Sequence, residues 1–377
     1  MRELRRLGYV PALDGVRGVA IALVVLWHAF HVPVGGFLGV HVFFVLSGFL
    51  ITALLLQEWE GTGAISVRHF YFRRALRLFP ALAAMLLAYT TSQVARELAR
   101  PEALDLSTAL KGVLYSVFYV SNIVQASGVV LGVTISHLWS LATEEQFYLL
   151  WPFVLVLALR RGVGQRSLEV GLAAAIALVA LHRLQLTLAD APRERLYFAP
   201  DTTFDAILVG CLLGVWFSSG RLPALLRSPR FVGWAAVPAI AFGAAAVALA
   251  GIESRALYAF VLLPFVLAAG IFVLSAATEE TAFARVLAVR PLVFLGRISY
   301  SLYLWHTMAL VFGRDLLGVS AAGGVVLAVA AATVSHYAIE RPFLRRKTRD
   351  RAEVEHRPAP RDEPGYAPTP ATGSTRA

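Results

Sequence analysis

Apolar runs near residues 16–33, 36–56, 78–93, 138–159, 168–187, 204–219, 231–251, 256–276, 295–313 and 317–339 dominate the chain. Each is long enough, or nearly so, to cross a hydrocarbon layer about 30 Å thick at a helical rise of about 1.5 Å per residue. The pattern predicts ten membrane helices. The stretch Val113 to Val124 predicts a short re-entrant or surface helix between the third and fourth. The first run begins near Gly18 and continues past the length of a signal-peptide core, so it is expected to remain as a helix.

Composition supports this pattern. Of 377 residues, 58% are hydrophobic and only 15% charged, against about 25% charged in an average soluble protein. Mean hydropathy is +0.67, which excludes an ordinary soluble enzyme. A single cysteine, Cys211, excludes a disulfide scaffold. The net charge of +10 is carried by arginines scattered between apolar runs, which is not the pattern of a nucleic-acid surface.

The distribution of basic residues tests the helix count, because Lys and Arg accumulate on the cytoplasmic side. Segments 1–17, 57–77, 160–167, 220–230, 277–297 and 341–350 hold 22 of the 34, whereas the opposite loops hold eight: Arg96, Arg100, Lys111, Arg183, Arg193, Arg195, Arg255 and Arg314. The expected fold is an all-α integral membrane protein, a bundle of about ten transmembrane helices with both termini cytoplasmic. Residues 1–350 form the membrane domain, and the proline-rich, polar stretch 351–377 is expected to be a disordered cytoplasmic tail.

Charged side chains at membrane depth cost roughly 2.5–3.5 kcal/mol each on insertion scales, so those present should face a bundle interior or a wet cavity. Arg17 and His28 are eleven residues apart in the first run; eleven helical steps of about 100° return close to one face, about 16 Å along the axis. The same spacing also suits a cytoplasmic anchor and an interfacial histidine. In the second run, spacing alone favours close packing for Ser47 and Gly48. Arg73, Arg74 and Arg77 precede the third run, where an i, i+3 pair of arginines can fork onto phosphate oxygens or anchor to anionic lipid. His137, Glu144, Glu145 and Gln146 fall in the fourth run, where adjacent acids are hard to explain by packing. Ser299, Tyr303 and His306 form a polar stripe in the ninth.

An imidazole, a carboxylate and cationic phosphate binders are the parts needed for acyl transfer to a hydroxyl. There is no Gly-rich phosphate loop, no G-x-S-x-G elbow and no Cys/His metal spacing, so no metal is expected. Five blocks resemble those of the acyltransferase 3 membrane proteins, bacterial enzymes that O-acylate surface polysaccharides, peptidoglycan, lipopolysaccharide or natural products. They are LDGVRG with the following histidine, GVHVFFVLSGFLIT, FYFRRALRLFPA, SHLWSLATEEQFYLLWP, and GRISYSLYLWH with SHYAIERPF, together spanning about residues 9–346. The resemblance implies that Arg17 and His28 are essential, that Arg74 and Arg77 serve the acyl donor, and that Glu145, His306 and Ser47 line the site. It departs at Thr203, where the family often has arginine, and at His41, where it usually has aspartate.

The sequence therefore predicts a multi-pass enzyme of a bacterial plasma membrane. It would move an acyl group, expected to be acetyl, from acyl-CoA to a hydroxyl of a carbohydrate or natural-product acceptor. His28 is the expected general base, Glu145 orients its ring, Tyr303 or His306 donates to the developing oxyanion, and Arg17, Arg74, Arg77 and Ser47 hold the donor. A covalent acyl-histidine relay is the alternative step. A proton-coupled transporter or flippase is the rival class, because intramembrane His, Glu and Arg also mark translocation pathways.

Overall fold

The computed structural model describes residues 8–99, 106–219, 228–278 and 281–344. The tail expected over 351–377 lies outside them, as do parts of the basic segments at 1–17, 220–230 and 341–350. All the regular structure described is helical. The chain is an all-α integral membrane protein, and among the described residues nine helices are long and apolar enough to cross a membrane.

Three helices start the bundle: α1 (Pro11–Phe30), α2 (Gly39–Thr62) and α3 (Val67–Ala99). Pro11 opens α1, where a missing N–H costs no hydrogen bond, and a left-handed His31 closes it by donating its N–H to the Trp27 carbonyl. The third run was expected to span 78–93; α3 instead runs unbroken through Pro80. Arg73, Arg74 and Arg77 thus lie within its first three turns, on the helix and not ahead of it. An internal proline is tolerated in a membrane helix because neighbouring groups satisfy the freed carbonyl.

Short helices α4 (Leu106–Val117), α5 (Ser121–Ala126) and α6 (Val133–Ser136) follow, in the region predicted to hold a re-entrant or surface element. They lead into α7 (Trp139–Arg160), α8 (Gln165–Leu188), α9 (Arg193–Phe198), α10 (Pro200–Ser218) and α11 (Pro229–Leu249). A π turn at Leu257–Val261 opens α12 (Leu262–Ala277), and α13 (Ala282–Leu287) and α14 (Arg290–Arg297) come next. The last pair is α15 (Ser299–Leu317) and α16 (Ala321–Ser335), the latter ending in a π turn at His336–Glu340. The ninth predicted span, 295–313, is split at Ile298, and α15 is not among the nine apolar spans. Ser299, Ser301, Tyr303, His306 and Thr307 all give it a polar, buried face.

Small residues set how closely the helices pack. A Cβ on Gly48 of α2 would overlap the Ile207 carbonyl oxygen of α10, and one on Gly210 would overlap the Val45 carbonyl oxygen in return. The packing expectation for Gly48 holds on this contact. The glycines of LDGVRG act similarly: side chains at Gly15 and Gly18 would run into backbone oxygens of Leu287 and Leu292. These contacts bring α1 against the α13–α14 segment while α2 lies against α10.

Arg183, counted above with the outer loops, is a correction to the charge assignment. It lies inside α8, fully buried. Its Nη1 is 2.8 Å from Asp205 Oδ2 of α10, and its guanidinium donates to the carbonyls of Thr202 and Tyr258. A buried cation must be paired in this way, and the partner's distance along the chain hid it from a loop count.

Candidate active site

Three imidazoles from three helical segments meet inside the bundle. His28 stands in the last turn of α1, His306 in the middle of α15, and His137 caps α6 just before α7. Ring centroids of His28 and His306 are 4.8 Å apart, and those of His306 and His137 are 4.9 Å apart. His28 is half-buried, whereas His306 and His137 are buried.

Backbone carbonyls set the tautomers. The Nδ1–H of His28 donates to the Val24 carbonyl at 2.8 Å, with His306 Nε2 at 3.4 Å as a longer neighbour. That leaves His28 Nε2 as a lone pair able to take a proton. The Nδ1–H of His306 donates to the Tyr303 carbonyl at 2.7 Å. His137 directs its Nδ1–H to Thr307 Oγ1 at 3.1 Å, since that hydroxyl already donates to the Thr134 carbonyl.

Glu145, expected to orient His28, has another partner. Arg74 donates to both of its oxygens, with Nε at 2.8 and 3.0 Å and Nη2 also bonded to Oε1. The guanidinium is also 3.3 Å from the Tyr148 ring centroid. Helix periodicity explains the correction: Glu145 lies on the α7 face toward α3, and the carbonyl at i−4 on α1 already holds His28. Glu144 accepts a hydrogen bond from Ser47 Oγ at 2.6 Å, so Ser47 joins a polar contact that its spacing alone did not predict.

Tyr303 is the second correction. Its hydroxyl donates to the His137 carbonyl and shares a 2.7 Å hydrogen bond with Ser140 Oγ. With His306 Nδ1 also held by backbone, neither is free to donate to an oxyanion in this arrangement.

The arginines differ in how they are engaged. Arg17 makes a 3.4 Å ion pair with Asp14, whose other oxygen accepts from the Tyr9 hydroxyl. Arg74 is committed to Glu145. Arg77 stays exposed and makes no ion pair or hydrogen bond among the described residues. Its electrostatic neighbours are the cations Arg17 and Arg74 and the buried Glu340. Glu340 is itself held by Ser301 and, at 2.9 Å, by His336. A cation beside two others has room for an anion.

Sequence reasoning missed the Arg183–Asp205 pair and gave His137 no role. Asp205 offered no separate signal beyond being an acid within an apolar run. His137 lies in the SHLWSLATEEQFYLLWP block, where the adjacent acids are the stronger signal of buried chemistry. Among the described residues no group of three or more His, Cys, Asp or Glu is arranged to hold a metal.

With this geometry in place, comparison with known proteins fixes the class. Residues 10–341 match the family model described as an acyltransferase domain, and the chain belongs to that acyltransferase 3 family. It is 32% identical over 326 residues to O-acetyltransferase OatA of Staphylococcus aureus, covering 81% of this chain and 51% of the relative. It is 32% identical over 313 residues to peptidoglycan O-acetyltransferase OatA of Listeria monocytogenes, covering 79% and 49%. The chain therefore spans about half the length of these relatives. No solved structure matches it.

Proposed function

We propose that the chain is a membrane O-acyltransferase of a bacterial plasma membrane, moving an acetyl group from acyl-CoA to a hydroxyl of a carbohydrate acceptor. The observation that carries the reading is the His28 ring. A backbone carbonyl holds Nδ1–H, Nε2 is left as a base, and the half-buried ring packs beside the buried His306 imidazole. Both named relatives are O-acetyltransferases, one of them acting on peptidoglycan by its name.

In this mechanism His28 Nε2 removes the proton of the acceptor hydroxyl as its oxygen attacks the thioester carbonyl carbon. The tetrahedral intermediate collapses with cleavage of the C–S bond, and His28 returns the proton to the departing CoA thiolate. His306 Nε2 lies beside His28 Nδ1 and steadies the imidazolium while it carries charge. Arg77, with Arg17 beside it, meets the anionic donor. Arg74 fixes Glu145, so its part in donor binding is indirect. The distribution of basic residues supports donor binding from the cytoplasm, with both termini on that side.

Purified protein in detergent, given acetyl-CoA and a glycan oligosaccharide, tests this. The enzyme reading expects acetyl transfer or acetyl-CoA hydrolysis without any sealed compartment. Absence of both, with translocation only in sealed vesicles, would favour a transporter.

A further inference from the structure

His137 is 5% exposed, and its Nε2 has no hydrogen-bond partner. The ring cannot turn to satisfy it, because Nδ1–H is fixed on Thr307 Oγ1, which is in turn fixed on the Thr134 carbonyl. Tyr303 packs edge-on at 5.1 Å and donates its hydroxyl to the His137 backbone carbonyl, pinning the residue from the other end. A buried acceptor held in place without a donor is costly, and such atoms call for a ligand or water that supplies one.

The same cluster holds a second lone pair, His28 Nε2, for which no protein donor is present among the described residues. His306 stands between the two rings, 4.8 Å from one and 4.9 Å from the other, so the outer centroids lie no more than about 10 Å apart. Two hydroxyls on neighbouring carbons, each with a hydrogen bond of about 2.8 Å to nitrogen, bridge a span of that order. A single alcohol would satisfy only one.

We infer that His137 is an acceptor-binding residue: its Nε2 takes a hydrogen bond from a second hydroxyl of the acceptor, next to the one that His28 deprotonates. This rests on the acyltransferase reading above and narrows it to acceptors with neighbouring hydroxyls. His137 moves no proton; it holds the sugar so that the reacting hydroxyl, and not water, occupies His28. Loss of that hold shifts acetyl groups from sugar to water.

The experiment measures where acetyl from radiolabelled acetyl-CoA goes, glycoside or free acetate, with methyl β-N-acetylglucosaminide and its 3-, 4- and 6-deoxy analogues as acceptors. Wild type is expected to lose transfer altogether with the analogue lacking the reacting hydroxyl, and to lose transfer relative to hydrolysis by roughly tenfold with the analogue lacking the hydroxyl next to it. His137→Phe is expected to shift the partition of released acetyl toward acetate by a similar factor, whatever its overall turnover, and to treat that analogue and the parent alike. His137→Gln, whose amide oxygen can accept in place of Nε2, is expected to recover part of the partition. An unchanged partition in His137→Phe overturns the assignment. So does equal partition of wild type among the parent and the analogues that keep the reacting hydroxyl, which needs no variant to fold. Failure of wild type to release acetyl from acetyl-CoA instead overturns the enzyme reading itself.

Discussion

Arg74 Nε lies 2.8 Å from Glu145 Oε1, and the same guanidinium sits 3.3 Å from the Tyr148 ring centroid, tying α3 to α7 across 71 positions of sequence. This pair is structural before it is anything else. Both side chains are largely withdrawn from solvent, at 17% and 15% exposure, so removing one strands the other's charge. Arg74→Ala is expected to destabilise the protein by about 3–5 kcal/mol. The double variant Arg74→Met/Glu145→Leu is expected to regain most of that, because a packed apolar pair replaces an ion pair at little cost. Thermal midpoints in detergent check both; a double variant no more stable than the single one would show that the pair itself is needed.

Arg77, one turn further along α3, should behave differently. Among the described residues it has no hydrogen-bond or ion-pair partner to strand, so Arg77→Ala is expected to leave stability within about 0.5 kcal/mol. Affinity for acyl-CoA should fall roughly tenfold through loss of a charged hydrogen bond. A direct titration of acyl-CoA gives the answer, and unchanged affinity would remove Arg77 from the donor site.

Close packing of α2 on α10 makes a third prediction. Gly48→Ala places a methyl group against the Ile207 carbonyl, with Cys211 backbone behind it. Rigid backbone cannot yield as a side-chain tip can, so a loss of about 1–3 kcal/mol is expected. Gly171→Ala, in α8 with nothing near the new Cβ, should be neutral or slightly stabilising. Equal midpoints for the two variants would mean that the helices can separate freely.

Asp205→Ala provides a fourth. It leaves Arg183 charged and fully buried, with two backbone carbonyls as its remaining partners. A loss of about 3–5 kcal/mol is expected, read as a lower thermal midpoint. A variant as stable as wild type would show that water or a neighbour reaches Arg183.

Much of the bundle was readable from apolar run length, because a helix must satisfy its backbone internally wherever lipid surrounds it. The ends were not. Arg73, Arg74 and Arg77 interrupt the apolar pattern without interrupting α3, since hydropathy records lipid contact and helix continuity depends on backbone hydrogen bonds. In the site, periodicity found the helix of each residue but not its partner. A carboxylate suits an imidazole as its orienting partner, which pairs Glu145 with His28 on chemistry alone, whereas the structure gives Glu145 to Arg74 and His28 to the carbonyl of Val24. Asp205 and Arg183, 22 positions apart, were invisible as a pair because α8 and α10 meet only in three dimensions. Ser47 went the other way: its block suggested the site, and the structure provides Glu144 as its hydrogen-bond partner.

The general-base assignment of His28 is tested most directly by rapid-quench, single-turnover transfer from radiolabelled acetyl-CoA, comparing wild type with His28→Ala. Wild type is expected to pass label straight to the acceptor and to retain none on protein when the acceptor is omitted. His28→Ala should bind acetyl-CoA normally and transfer at least about 100-fold more slowly. Transfer by His28→Ala at close to the wild-type rate would contradict it.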